Sequence, residues 1–222
     1  MLRNNRWILL LLLFAFRIEL FSQTKVQFSR HGGFYDEPFA LSLGCSNMDC
    51  HICYTTNGDT PTDGSFRYET PLFLDERLYS VSNIHTIPTA PVFEPFVPDS
   101  VQHAIVIRAA AFDRNGQRVS EVATQTYLIH ALGCDHHGLP AVSVCCDSLS
   151  LFDYDTGIIV PGVFFDPDNP DFSGNYYQRG SEWERLCNVE FYEHDNTDIN
   201  QICGIRTHGN RARKAPAKGL KI

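Results

Sequence analysis

Residues 103–129 read HAIVIRAAAFDRNGQRVSEVATQTYLI, and this stretch decides the fold class. Its first part, His103–Asp113, is a nearly continuous apolar run with a small-residue centre, the pattern of a buried strand. Its last part, Ala123–Ile129, alternates apolar and polar residues with the period of two that a half-buried strand requires. Asn115-Gly116 lies between them and supplies turn chemistry. Working outward, "FALSL" (Phe39–Leu43) and "HICYT" (His51–Thr55) alternate in the same way, and "PLFL" (Pro71–Leu74) is a short apolar run. Gly32-Gly33, Asn57-Gly58 and Asp63-Gly64 separate these segments. Short strands at this spacing predict an all-β sandwich over residues 23–131. The patterned stretch Tyr54–Leu74 reads as the wiring of that sandwich, with Asn57-Gly58 as a tight turn and Pro61 and Pro71 limiting where strands begin. Ile84–Ser100 holds four prolines and reads as a loop whose Phe93 and Phe96 pack down over the sheet edge.

The second half opens with another strand signal, "LPAVSVCCD" (Leu139–Asp147), in which Cys145 and Cys146 fall on opposite faces. "LCNVEFYEHDNTDINQICGIR" reads as two strands around an acidic turn. Helical periodicity is confined to the short "SLSLFDYD" region. The expected organisation is therefore a leader at 1–22, a sandwich at 23–131, a linker at 132–138 and a second β-rich unit at 139–222.

The leader expectation rests on Arg3 and Arg6, the ten-residue apolar run "WILLLLLFAF" and the small residue Ser22 before Gln23, the anatomy of a secretory signal peptide. The run is too short to span a bilayer, so no stable membrane span is expected after cleavage and the protein is expected to be secreted, periplasmic or at the cell surface. Export makes the eight cysteines disulfide candidates. Cys187 and Cys203 lie symmetrically about Asp195, and Cys45 and Cys53 about Asp49, so each pair is expected to face across a turn. Cys45, Cys50 and Cys53, with His51 nearby, lack a second CxxC to complete a zinc set, and no metal site is expected. The aspartates around Asp153 lack the glycine and terminal glutamate of an EF-hand.

Charge is unevenly distributed. Residues 23–204 hold nine Lys and Arg against twenty-five Asp and Glu, whereas 205–222 hold six cations and no acid. The acidic body repels phosphate and excludes a nucleic-acid surface. In the basic tail Arg206, Arg211, Arg213 and Lys218 are the candidate anion-binding residues, since guanidinium forks match phosphate oxygens and lysine adds a point charge. If one strand persists, Arg206 and His208 share a face, as do Arg211 and Arg213.

The blocks "FSRHGGFYDEPFALSL", "ICYTTNGDTPT", "YETPLFL" and "VIRAAAFDRNGQRVSEVATQTYLI" resemble the fibronectin-III-like sandwich appended to chitobiase and β-hexosaminidase enzymes, across most of residues 26–129. That resemblance implies an accessory, structural or carbohydrate-associated module without catalytic residues. "LFDYDTGI", "NYYQRGSEWER" and "GIRTHGNRARKAPAKGLKI" resemble the start of the spore coat protein H (CotH) kinase-like family. This second resemblance implies the β-rich opening of an α+β kinase-like domain that uses ATP and Mg²⁺ in its complete form, with Lys218 facing phosphate. The family's acidic motifs follow the basic block and have no matching positions here. The chain is thus expected to be truncated and inactive, to bind these cofactors poorly, and to carry no assignable catalytic residue. The alternative reading is a carbohydrate- or cell-surface-binding module whose partner is a surface protein or glycan.

Overall fold

The structure is a computed structural model and describes residues 24–75, 86–91, 104–131, 139–193 and 196–222. The expected leader at 1–22, the expected linker at 132–138, Phe93, Phe96 and Cys134 lie outside the described residues. The chain is mainly β, as its turn spacing predicts. The first half carries β1 (Val26–Phe28), β2 (Gly33–Tyr35), β3 (Phe39–Leu41), β4 (Leu43–Cys45), β5 (His51–Thr55), β6 (Phe66–Arg67), β7 (Leu72–Leu74), β8 (Ile105–Phe112) and β9 (Ala123–Ile129). One layer is a five-stranded sheet in the order β2-β9-β8-β5-β6. The facing layer is made of the β1–β4 and β3–β7 pairs, and Ser42 alone separates β3 from β4.

The apolar faces of the two layers close on each other. Leu41, Leu74, Ile107, Ala109 and Tyr127 have no exposed surface, and Val26, Phe39, Leu43, Ile52, Ile105 and Ile129 complete the core. Burying each large aliphatic side chain contributes about 1.5–3 kcal/mol. The small centre of β8 is thereby explained. Ala109 and Ala111 face this core, while Ala110 and Phe112 face a second cluster around Cys53.

Four antiparallel strands form the second sheet: β10 (Ala141–Cys146), β11 (Arg185–Glu193), β12 (Asn196–His208) and β13 (Gly219–Lys221). The expected helical region is one short helix, α1 (Ser148–Phe152), capped at its start by the Asp147 carboxylate, which accepts from the Leu149 N–H at 3.2 Å. Among the described residues no helix is long and apolar enough to cross a membrane.

The second sheet meets the sandwich through its polar face. Ser143, Asn188, Glu190 and Asn200 point toward β9, whose outer edge is uncovered by β2 over its first half. The Glu190 carboxylate accepts from Thr126 Oγ1 at 2.5 Å, from Asn200 Nδ2 at 3.1 Å and from the Thr126 N–H at 3.3 Å. Asn200 Nδ2 also donates to the Thr124 carbonyl at 2.9 Å. Side chains of the second sheet thus satisfy the edge of β9 as a neighbouring strand would. Gly32 is needed beside this cluster, because a Cβ there would overlap the Tyr192 hydroxyl and lie 2.7 Å from the Thr126 carbonyl.

The Asn57-Gly58 turn is a second docking point. The Asp59 carboxylate accepts from the Ser148 N–H at 3.0 Å, and the Asp147 carboxylate accepts from the Thr60 N–H at 3.1 Å. Arg108 donates to the Gly58 carbonyl at 2.9 Å. Burial pushes the Asp59 carboxyl up, but hydrogen bonds from Ser148 and Asn57 and the Arg108 charge more than offset it and hold it below the usual range. The stretch read as sandwich wiring is therefore also part of the seam.

The other face of the second sheet is apolar and largely uncovered. Val142, Val144 and Ile199 are 60%, 39% and 44% exposed, and the half-buried Val189 and Phe191 lie between them. Among the described residues only its end is covered, where Ile158, Leu151, Ile159 and Trp183 pack over Cys146, Cys187 and Cys203.

Those three cysteines form a lateral row across β10, β11 and β12. Cys187 pairs directly with Cys203, with sulfurs 3.6 Å apart, and burial together with the neighbouring Cys203 thiol pushes the Cys187 thiol up to about 12. Peptide mapping after mild oxidation should find the Cys187–Cys203 disulfide, stabilising the chain by about 2–3 kcal/mol. Recovery of Cys146 joined to Cys187 in its place would contradict this pairing.

The expected Cys45–Cys53 pairing is not what the fold arranges. Cys45 packs on the main sandwich core beside Cys50, and their thiols are hydrogen-bonding neighbours. Cys53 points to the opposite face of β5, against Ala110 and Phe112. Symmetry about Asp49 ignored which face of its strand each cysteine occupies.

Candidate anion-binding site

The basic block does not continue as one strand. β12 ends at His208, Gly209 takes a φ of 102°, and Arg211–Lys214 form a 3₁₀ turn before β13 returns to pair with Arg206–His208. Arg211 and Arg213 consequently part company: Arg211 is exposed and Arg213 is buried. Alternation along β12 buries Ile205 and Thr207 and turns Arg206 and His208 the other way.

Arg213 is 7% exposed and holds three segments together. Its Nε donates to the Gly209 carbonyl at 2.7 Å. Its Nη1 reaches the carbonyls of Tyr176 at 3.2 Å and Gln178 at 3.1 Å, and Thr207 Oγ1 at 3.3 Å. Burial, and then the nearby charges of Arg179 and Arg206, hold its pKa below the usual arginine range. Lys218 supports the same turn from beneath. Its Nζ donates to the Arg213 carbonyl at 2.6 Å and the Ala215 carbonyl at 3.1 Å, and lies 4.0 Å from the Tyr176 ring centroid. Burial pulls its pKa down to about 8.

Between the 3₁₀ turn, β12, β13 and the 178–183 loop lies a cleft of about 460 Å³. Arg179, Arg206, Arg213 and Lys221 line it with His208 and Trp183, and among the described residues no Asp or Glu does. Glu184 approaches Arg206 at 4.0 Å without joining the lining. In a chain of net charge −8, four cations around one acid-free hollow form a local anion-attracting field.

The structure thus brings two of the four anticipated residues, Arg206 and Arg213, into one concave surface. Arg211 lies outside the lining, and the Lys218 ammonium is turned toward the protein's own carbonyls. Arg179 and Lys221 join the site unanticipated. Both lie inside the quoted blocks, but only the tertiary return of the 178–183 loop brings Arg179 beside Arg206, and no local spacing encodes that return. Arg211 remains near the surface pair in which Lys214 binds Asp171 and holds the Asp171 carboxyl below its usual range.

No curated protein and no solved structure matches the chain. One family model does, and it matches within the sandwich, from Arg30 in the turn before β2 to the second residue of β9. The model that the chain matches, over residues 30–124, is that of the chitobiase/beta-hexosaminidase C-terminal domain.

Proposed function

We propose that residues 139–222 are the phosphate-contacting N-terminal portion of a CotH kinase-like domain, carried by an exported protein in which the sandwich is a docked accessory module. The observation that carries this reading is the acid-free cleft formed by Arg179, Arg206, Arg213 and Lys221. Its donor set suits phosphate oxygens, which guanidinium groups bind through paired N–H donors. It does not suit Mg²⁺, which requires carboxylates that this lining lacks. No phosphoryl-transfer step is assigned to these residues. The uncovered apolar face of the second sheet also favours a unit that belongs to a larger domain.

Binding of tripolyphosphate and ATP to the full chain, followed by calorimetry at low salt, tests the reading. Weak binding is expected, with ATP and tripolyphosphate similar and adenosine much weaker. Arg206→Ala should reduce affinity about 10-fold by removing one charge-assisted contact, with little change in unfolding midpoint. Equal binding by adenosine, or unchanged affinity in the variant, would refute it.

A second reading is favoured by the family match at residues 30–124: the sandwich attaches the protein to a surface glycan. Phe66 is 67% exposed and tilts against Tyr54, with centroids 5.8 Å apart, at the β6 edge. Such a pair offers an apolar face to a sugar ring. Glycan-array binding that is lost in Phe66→Ala would support this reading, and phosphate competition should leave it unaffected.

A further inference from the structure

A separate site lies on the sandwich, away from the basic cleft. His51 and Cys53 are two residues apart on β5, so their side chains leave the same face of the strand. The following loop carries Asp63 back over that face, closed by a hydrogen bond from the Ser65 N–H to the Thr62 carbonyl at 3.0 Å. His51 Nε2 stands 2.6 Å from Asp63 Oδ1, and Cys53 Sγ stands 3.8 Å from the Asp63 carbonyl oxygen. The imidazole nitrogen, the thiol sulfur and a carboxylate oxygen all lie within 4.8 Å of one another.

We propose that His51, Cys53 and Asp63 form a binding site for a zinc-type divalent cation. The ligand chemistry is the first argument. One nitrogen, one sulfur and one carboxylate oxygen suit borderline-soft Zn²⁺ rather than Ca²⁺ or Mg²⁺, which take oxygen ligands. Geometry is the second. Bond lengths of about 2.0–2.3 Å in a tetrahedral site place ligand atoms about 3.3–3.8 Å apart. The His51–Asp63 pair therefore has to open slightly and the sulfur to close, and the ligand that adjusts is Asp63, on a turn, while the two strand ligands stay fixed.

The surroundings fit the same assignment. Cys53 is 1% exposed, whereas the side chains of His51 and Asp63 are 19% and 49% exposed. Buried sulfur at the floor and solvent at the mouth give three protein ligands with one open position for water. Phe112 stacks on the His51 ring at 6.1 Å between centroids and steadies it. Gly116 leaves room for the carboxylate, since a Cβ there would lie 2.8 Å from Asp63 Oδ2. No other cysteine competes for Cys53 among the described residues, because Cys45 has Cys50 as its neighbour on the opposite face. On binding, the Cys53 thiol releases its proton to solvent and the ion replaces the His51–Asp63 hydrogen bond.

Titration of the reduced full chain with Co²⁺ tests the proposal, followed by competition with Zn²⁺. One equivalent of Co²⁺ should produce a thiolate-to-cobalt charge-transfer band in the near ultraviolet with strong four-coordinate bands in the visible, and Zn²⁺ should bleach both. Cys53→Ser should abolish the charge-transfer band. Asp63→Asn lies on an exposed turn and leaves the strands intact, so it remains informative if the cysteine variant folds poorly. It should weaken Zn²⁺ binding at least 10-fold. Absence of any band, a band that survives Cys53→Ser through other thiols, or unchanged Zn²⁺ affinity in Asp63→Asn would each overturn the assignment.

Discussion

Glu190→Ala is expected to lower the stability of the chain by about 3 kcal/mol, enough to shift its melting temperature by roughly 6–12 °C. Glu190 has no exposed surface, and its partners Thr126, Asn200 and Tyr192 are all uncharged. Truncation leaves the Thr126 N–H without its carboxylate acceptor and opens a cavity at the centre of the seam. Glu190→Gln should behave differently. Its amide oxygen can still accept from Thr126 and Asn200, and its NH₂ can donate to Thr126 Oγ1 while that hydroxyl donates to Ser143, 2.8 Å away. Burial raises the Glu190 pKa, and hydrogen bonds from Thr126 and Tyr192 only partly counter it. A carboxyl whose pKa is raised by folding contributes stability that is present below its unfolded value, about 4.3, and is lost as pH rises through the folded value. Urea midpoints measured across the acid-to-neutral range should therefore fall for the native chain relative to Glu190→Gln. A constant difference between the two at every pH would show that the buried carboxyl does not titrate as its surroundings require.

Arg213→Ala is expected to cost about 2–4 kcal/mol and to disorder the 3₁₀ turn. One guanidinium satisfies the carbonyls of Gly209, Tyr176 and Gln178, and no shorter side chain spans them. Arg213→Lys should rescue the charge but little of the stability, because an ammonium lacks the planar fork. Hydrogen exchange should report the loss at Tyr176–Gln178 and His208–Lys214, with the sandwich core unchanged. Phosphate affinity should fall with the fold in Arg213→Ala, whereas Arg206→Ala should lose affinity with little loss of stability. Equal destabilisation in the two variants would mean that Arg213 is not the structural member of the pair.

The strands were legible because their punctuation is local. Asn57-Gly58, Asp63-Gly64 and Asn115-Gly116 each delimit a run with period two, and the elements form between them. Period, however, does not say which face turns inward. Val142 and Val144 alternate with Ser143 and Cys145, and hydrophobic alternation ordinarily buries the valines. Here the interface with β9 is hydrogen-bonded, so Ser143, Cys145, Asn188 and Glu190 face the sandwich and the valines face out. The basic block was legible as a cluster of cations by composition alone. Its internal division was not, because Arg213 is buried against the carbonyls of Tyr176 and Gln178 and Lys218 against the Tyr176 ring, both far away in sequence. The cluster of His51, Cys53 and Asp63 was half visible. His51 and Cys53 carried the strand signal, but Asp63 read as a turn former, and turn chemistry does not reveal what its carboxylate will meet.

The capping of β9 by Asn200 and Glu190 also governs what happens when the polypeptide is cut. A cut between β9 and β10 would sever the covalent tie without removing the contacts through Asp59, Asp147 and Glu190. A sandwich purified away from its partner would present the bare amide of Thr126 and the bare carbonyl of Thr124, an invitation to dimerise edge to edge. Covalent modularity and energetic modularity therefore do not coincide in this protein.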